Sequence, residues 1–515
     1  MPLKLRMWVV ACLLAGALFL SLYSAGQAFR SDEVWSLRVV ELPYADMMSK
    51  LRGDIHPPLY YWLLAAWTGM FGTGEVAVRM LSLLLSLCAA GVIYRTGREF
   101  WGQSAGLLAA AIFIASPLGA IAVGMVRMYT LLALTAAGST LGFLRVSRSG
   151  SPSKVDWVIY IAANIVGSFT HVWFFFLLLA QGITYLVFWR ARRLPGMIAA
   201  AVASLAPYAV LWAPVLAKQV QRTGSNLAWV PAPTALELVT ALLLQVGMFA
   251  FVVPFAVAMW RRSRQAKRDG QAAVTSQIAS VSEAAPATVP AAVLFLLAAL
   301  TILIPFALSF VKPVFAARFT IVALPATSLA LALLARRLPV AQLAPGLMVA
   351  ACGMAVVNNA TGSLCDARAA AQYLAENTRP GDVVIFTNLS RLPIDYYWDR
   401  IDPDHTSRAR IEERSFPAEI DAHPGFVGDI DSEVARGKLT EEAQLLTTSL
   451  EDRDDGRVFF LHGFRPDADR ILKDLLDERI PQVETMGRSC QEMGSYFQYL
   501  AVFDCAEEGR DVAAR

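Results

Sequence analysis

The chain has 515 residues, 56% of them hydrophobic and only 17% charged, with a net charge of +3. Soluble domains carry about 25% charged residues, so an ordinary water-soluble protein is excluded. The sequence contains no basic cluster interleaved with aromatics, which argues against a nucleic-acid partner.

Lys4 and Arg6 precede the apolar run "WVVACLLAGALFLSLYSAG". The run exceeds a signal-peptide core and no small-x-small site follows, so it reads as an uncleaved first transmembrane helix. Apolar windows of ~17–25 residues then recur along the chain. They predict about eleven spans, centred near residues 18, 87, 114, 136, 163, 180, 207, 247, 300, 326 and 349. Residues 155–190 are divided at the polar pair Thr170–His171. Every second joint is basic: Arg95 and Arg98; Arg145, Arg148 and Lys154; Arg190, Arg192 and Arg193; Arg261 to Arg268; Arg336 and Arg337. The positive-inside rule makes those joints cytoplasmic. An odd number of spans with the N-terminus inside then puts the C-terminal region outside. Residues 269–288, rich in Ala, Ser, Thr, Val and Gln, read as a cytoplasmic linker.

Beyond about residue 360 the spans stop and acidic residues become frequent. "DARAAAQYLAEN" has helical spacing, "TRPGD" is a turn and "VVIF" a buried strand. "RVFFLHGF" and "YFQYLAVFD" read as further strands, with the helix "DADRILKDLLDER" between them. The expected architecture is mainly α. It comprises a polytopic helical membrane domain at 1–359 with a long first outer loop at 30–78, and an extracytoplasmic α/β domain at 360–515. Cys12, Cys88 and Cys352 fall in apolar runs as packing residues. Of Cys365, Cys490 and Cys505, the pair Cys490–Cys505 is open to disulfide formation if the domain is extracytoplasmic.

Polar residues collect on the outer face, in "RSDEVWSL", "GDIHPPLYYWLL", "GMVRMYT", "THVW" and "KPVFAARF". A site assembled from several loops on one membrane face suits a lipid-linked substrate. If that substrate is a sugar on a lipid phosphate, Arg and Lys must hold the phosphate as charge develops on it. A carboxylate must accept or orient the acceptor's hydroxyl proton. Asp32 and Glu33 supply acids, or alternatively cap a helix. His56, Pro57 and Pro58 head an aromatic segment, the prolines opening it as a membrane-surface helix. Arg79, Arg127 and His171 are phosphate-binding candidates; an Arg at a span end can also snorkel, and a lone His can join helices. Lys312 and Arg318 depart from the charge bias of the outer joints, which favours binding. The Asp402–Asp404–His405 run imitates a metal-binding Asp-x-Asp, but no nucleotide-binding glycine loop accompanies it. Cys and His residues with metal-ligand spacing, a Walker loop and a nucleophile elbow are absent from the sequence.

In order, the Asp-Glu pair, "HPPLYYWLL", "RMLSLL", "VRMYTLLAL" and "KPVFAARFTIVALP" resemble the C-type glycosyltransferases. More specifically, they look like those of bacterial members of glycosyltransferase family 39, related to protein O-mannosyltransferases and to lipid A aminoarabinose transferases. The resemblance spans roughly residues 1–390. It implies a C-type glycosyltransferase fold in the bacterial inner membrane, with the N-terminus cytoplasmic and the C-terminal domain periplasmic. It implies sugar transfer, with inversion, from a polyprenyl-phosphate donor to a lipid or glycan acceptor. Asp32 matches the family's catalytic acid, with Glu33 completing the pair. Arg127, Tyr129, Lys312 and Arg318 match its phosphate contacts. No cofactor is required; Asp32 and Glu33 are where a divalent ion would bind if one took part. The sequence departs from the family in lacking an acid in "AVGMVRMYT", a β-trefoil insert and a Trp-Trp-Asp motif, which disfavours protein acceptors. The alternative is a transporter or flippase of lipid-linked sugars using the same groups without chemistry. A membrane-anchored binding protein led by its C-terminal domain is a third reading.

Overall fold

The computed structural model describes residues 26–54, 56–148, 151–189, 193–221, 233–247, 289–335, 366–387, 390–418, 433–451, 453, 456–463, 466–480, 482–486 and 500–504. Spans expected near residues 18 and 349, the linker at 269–288 and the Cys490–Cys505 pair lie outside them. The chain falls into two units. One holds the described residues from Val40 to Ala335. The other joins Gly26–Val39 to the described residues from Asp366 onward.

In the first unit, helices α2 (Tyr44–Gly53) and α3 (Leu59–Phe71) precede the long α4 (Glu75–Trp101). Pro58 stands at the N-cap of α3, where a missing N–H costs nothing. Trp62, Met70 and Phe71 of that helix are exposed. Gly102, at φ +92°, ends α4 and turns the chain into α5 (Gln103–Ala115). The window expected as one span near residue 114 is broken. Pro117 cannot continue the backbone ladder, and Ser116 caps the new start by accepting from Gly119 N. The helix α6 (Pro117–Val123) therefore leaves at 62°.

Next come α7 (Tyr129–Ser147), α8 (Lys154–Ser168), α9 (Phe174–Trp189), α10 (Leu194–Leu211) and α11 (Ala213–Gln221). The break between α8 and α9 falls at the expected Thr170–His171. Then follow α12 (Ala235–Val246), α13 (Ala291–Leu308), a 3-10 turn (Ala317–Ala323) and α14 (Leu324–Ala335). Among the described residues, five helical stretches are long and apolar enough to cross a bilayer, or six with the bent pair. The chain is a multi-pass membrane protein. Helix α7 is its centre, with 89% of its apolar window buried, against 22% for the peripheral α10.

Without a hydrophobic drive between helices in lipid, packing and hydrogen bonds join them. Ser139 of α7 donates to Asn164 of α8 at 2.6 Å and accepts from Gln181 of α9 at 2.8 Å. Tyr160 donates to Gln181 at 3.0 Å. Small residues bring backbones close: a Cβ on Gly97 would stand 2.6 Å from Gly106 Cα.

Three of the basic joints gather on one face among the described residues. Arg145 forks onto Glu99 at 2.5 and 3.0 Å, and Arg148 reaches Glu99 at 3.4 Å. Arg193 donates to the carbonyls of Val146 and Arg148. The joints after α4, α7 and α9 are thereby tied together, as alternating threading requires. The loops holding His56, Arg127 and His171 meet at the other ends of these helices.

The second unit begins with α1 (Ser31–Glu41). Its C-terminal part has α15 (Ala367–Asn377), β1 (Val383–Thr387), α16 (Arg391–Ile401), β2 (Glu412–Phe416), α17 (Glu433–Glu451), β3 (Arg457–Leu461), α18 (Pro466–Arg479), β4 (Gln482–Met486) and β5 (Leu500–Asp504). The sheet order is β2-β1-β3-β5-β4; β2, β1 and β3 run parallel and β5 is antiparallel to β3 and β4. "VVIF" is apolar throughout because β1 is buried on both faces. Val383, Ile385, Val458, Phe460 and Phe503 pack with Leu472, Leu476 and Ile480 in one core cluster. Asp366 caps α15, accepting from the N–H groups of Arg368 and Ala369.

Candidate functional site

Four loops of the membrane unit converge on one buried cluster. The first follows α2. Asp54 ends that helix, its N–H donating to Lys50 O, and its Oδ2 lies 3.1 Å from His56 Nδ1. The second separates α6 from α7 and carries Arg127, whose Nη2 lies 3.1 Å from His56 Nε2. A guanidinium nitrogen only donates, so His56 Nε2 accepts and Nδ1 holds the proton directed at Asp54. The imidazole is thus neutral and set in one tautomer. Burial is the largest influence on it and lowers its proton affinity; Arg127 and Arg318 act in the same direction, against Asp54.

The third loop is the turn between α8 and α9. His171 Nδ1 accepts from Trp173 N at 3.1 Å, which leaves its Nε2 edge to carry the proton of the neutral ring. Its ring meets His56 edge-on at 5.6 Å and lies 5.0 Å from Phe319. Leu59 N donates to Phe169 O, pinning this turn to the first loop. The fourth loop brings Arg318, whose guanidinium lies 5.6 Å from the Phe319 ring centre. Tyr129, at the head of α7, stands 6.4 Å from His171 and 6.2 Å from Phe319. His56, Arg127, Tyr129 and His171 are all buried.

Arg79 is one turn into α4, buried, and its Nε donates to Gly124 O at 2.9 Å. Ser82 donates to Met125 O at 2.7 Å. Together they hold the backbone of the loop from which Arg127 projects. Lys312 is exposed in the turn closing α13, its N–H donating to Leu308 O. Asp32 and Glu33 belong to the other unit, in the first turn of α1. Glu33 is buried and its Oε2 accepts from Arg30 N at 2.9 Å, half of a capping box; Asp32 is partly exposed.

Sequence reasoning passed over Asp54. Its signal was a carboxylate two residues before His56 in "GDIHPP". It also passed over Trp173 and Phe319, whose rings lie 5.5 Å apart beside His171. In the Asp402–His405 run, Asp402 accepts from both backbone and hydroxyl of Thr406 and Ser407. Those bonds hold its carboxyl below the usual range, so Asp402 closes a turn. Among the described residues, no group of three or more His, Cys, Asp or Glu could hold a metal ion.

Residues 55–217 match the family model described as dolichyl-phosphate-mannose-protein mannosyltransferase. No curated protein is significantly similar in sequence. The fold is similar to that of ArnT from Cupriavidus metallidurans bound to undecaprenyl phosphate. That match has TM-score 0.55 and 12% identity, covering 97% of this chain and 98% of that one. The apo ArnT structure gives TM-score 0.56 and 14% identity, covering 98% of each chain. The resemblance carried by the motifs therefore holds: residues 55–217 match the protein mannosyltransferase family, on a chain with the C-type fold of ArnT.

Proposed function

We propose that this protein is an inverting membrane glycosyltransferase that moves a sugar from a polyprenyl-phosphate donor to a lipid or glycan acceptor. The acceptor hydroxyl attacks the anomeric carbon, the bond from that carbon to the phosphate oxygen breaks, and the hydroxyl proton passes to Asp32. Glu33 sets the turn that presents Asp32. Arg127 and Arg318, with help from Lys312, hold the departing phosphate, where guanidinium gives the best geometry. Tyr129 and His171 line the same site. The reading needs no metal.

The observation that carries this proposal is the buried meeting of Arg127, Tyr129, His56 and His171 from three loops. All four lie inside the matched segment. The ArnT structure bound to undecaprenyl phosphate supports the donor class. The proposed setting is the bacterial plasma membrane, with the basic face cytoplasmic and the C-terminal unit periplasmic.

The test compares wild type with Asp32→Asn in nanodiscs. The probes are radiolabelled undecaprenyl-phosphate hexoses and pentoses with a membrane extract as acceptor source, each with and without chelator. Transfer by wild type should fall by about 100-fold or more in the variant, the scale of a lost general base, with donor binding retained. Binding without transfer in either protein would instead indicate a flippase. Absence of donor binding would end the lipid-carrier reading.

A further inference from the structure

The segment carrying Asp32 and Glu33 is gripped at both ends by one helix of its own unit, some 360 residues later. Before the acids, Phe29 N donates to Tyr397 Oη at 2.8 Å in a buried bond. The Phe29 ring stacks on Tyr397 at 6.4 Å and meets Tyr396 edge-on at 5.6 Å. Arg368 reinforces this end, donating to Gly26 O at 2.8 Å with its guanidinium 5.7 Å from the Tyr397 ring centre. After the acids, Arg38 donates to Asp399 at 2.6 Å and lies 5.8 Å from the Tyr396 ring centre. Tyr396, Tyr397 and Asp399 lie within one turn of α16. Asp399 is itself oriented by Arg408 at 2.9 Å, and Arg400 lies 3.4 Å over the Tyr396 ring.

The grip is what holds this segment in place. Helix α1 has only 11 residues, too short to persist alone in water. A salt bridge between partly exposed groups contributes little by itself. The buried Phe29–Tyr397 bond and the ring contacts are therefore the stronger part of the clamp.

We propose that Tyr397 and Asp399 are positioning residues for sugar transfer. Helix α16 of the C-terminal unit clamps residues 26–39 and so sets where the Asp32 carboxylate stands. The inference rests on the reading of Asp32 as the base that takes the acceptor proton. The C-terminal unit is then part of the transfer machinery, acting through the first outer loop.

Tyr397→Phe and Asp399→Asn are tested in the full-length protein with the undecaprenyl-phosphate sugars above. Each should lower kcat roughly ten- to hundred-fold, the scale of a small misplacement of a reacting group, with donor Kd unchanged. Combined with Asp32→Asn, neither should lower the residual rate further. Amide exchange across residues 29–36 should quicken in Tyr397→Phe while the rest of the C-terminal unit keeps its protection. Unchanged kcat, unchanged exchange, or an equal further loss in the Asp32→Asn background would overturn the clamp. Full turnover by Asp32→Asn with Tyr397→Phe impaired would instead remove Asp32 as the positioned group, a failure of the base assignment.

Discussion

At the scale of single residues, His56 links the carboxylate of Asp54 to the guanidinium of Arg127. Burial lowers its proton affinity in the folded protein below the ordinary value of 6.5. The unfolded chain therefore binds the extra proton, and folding stability rises with pH through that window. Stability on this account is complete above the ordinary value and is lost as pH falls below it. Thermal midpoints of the detergent-purified protein should drop more steeply between about pH 7 and pH 5 for wild type than for His56→Gln. Parallel curves for the two proteins would show that His56 carries none of the dependence. Arg127, Arg318 and His171 were legible in the sequence as residue types suited to a phosphate, and the structure brings them to one cluster. Asp54 did not, because a carboxylate in a loop is ordinary until its distance to His56 is known.

At the scale of elements, membrane helices announce themselves by length and apolarity. The windows around residues 87, 136, 207, 300 and 326 each hold a helical stretch fit to span. The window near 114 holds a bent pair. Hydropathy is blind to the missing N–H of Pro117 and to the Ser116 cap that let the chain turn there. It is blind also to close approach. Gly97 meets the backbone of Gly106 with no room for a methyl group, whereas a Cβ on the exposed Gly91 of the same helix meets nothing within 4 Å. Gly97→Ala should therefore destabilise by roughly 1–3 kcal/mol, the cost of overpacking, and Gly91→Ala should not. Comparable unfolding midpoints for the two variants would contradict this packing. In the C-terminal unit, β1, β3 and β5 were legible as apolar runs. The polar β2, "EERSF", was not. It is an edge strand whose charges are paired: Glu413 with Arg391 and Arg408, Glu412 with Arg414 and Arg453. Pairing of that kind suits an edge, where charge blunts association with other strands.

At the scale of the whole molecule, three joints rich in Arg and Lys, after α4, α7 and α9, are stitched to one another on one face of the membrane unit, with the His56–Arg127 cluster at the other. The positive-inside rule supports the proposed orientation, in which the cluster faces the non-cytoplasmic side. A phosphatase fused after residue 515 should be active when expressed in a bacterium, and a fluorescent protein fused there should be dark. The reverse pattern would invert the proposed topology and remove the donor site from the periplasm.

By itself, the sequence determined that the chain lives in a bilayer, that most of its spans alternate in direction, and which residue types could handle a lipid phosphate. Those properties are written in local composition, since each span must satisfy its own backbone in lipid. Only the tertiary structure decided that His56 is a neutral bridge to Arg127, that Arg79 serves the loop backbone, and that Tyr397 and Asp399 grip the segment bearing Asp32. Each of these rests on contacts between residues 45 to 368 positions apart. Such contacts arise when distant loops and helices pack, and no local pattern in the chain records them.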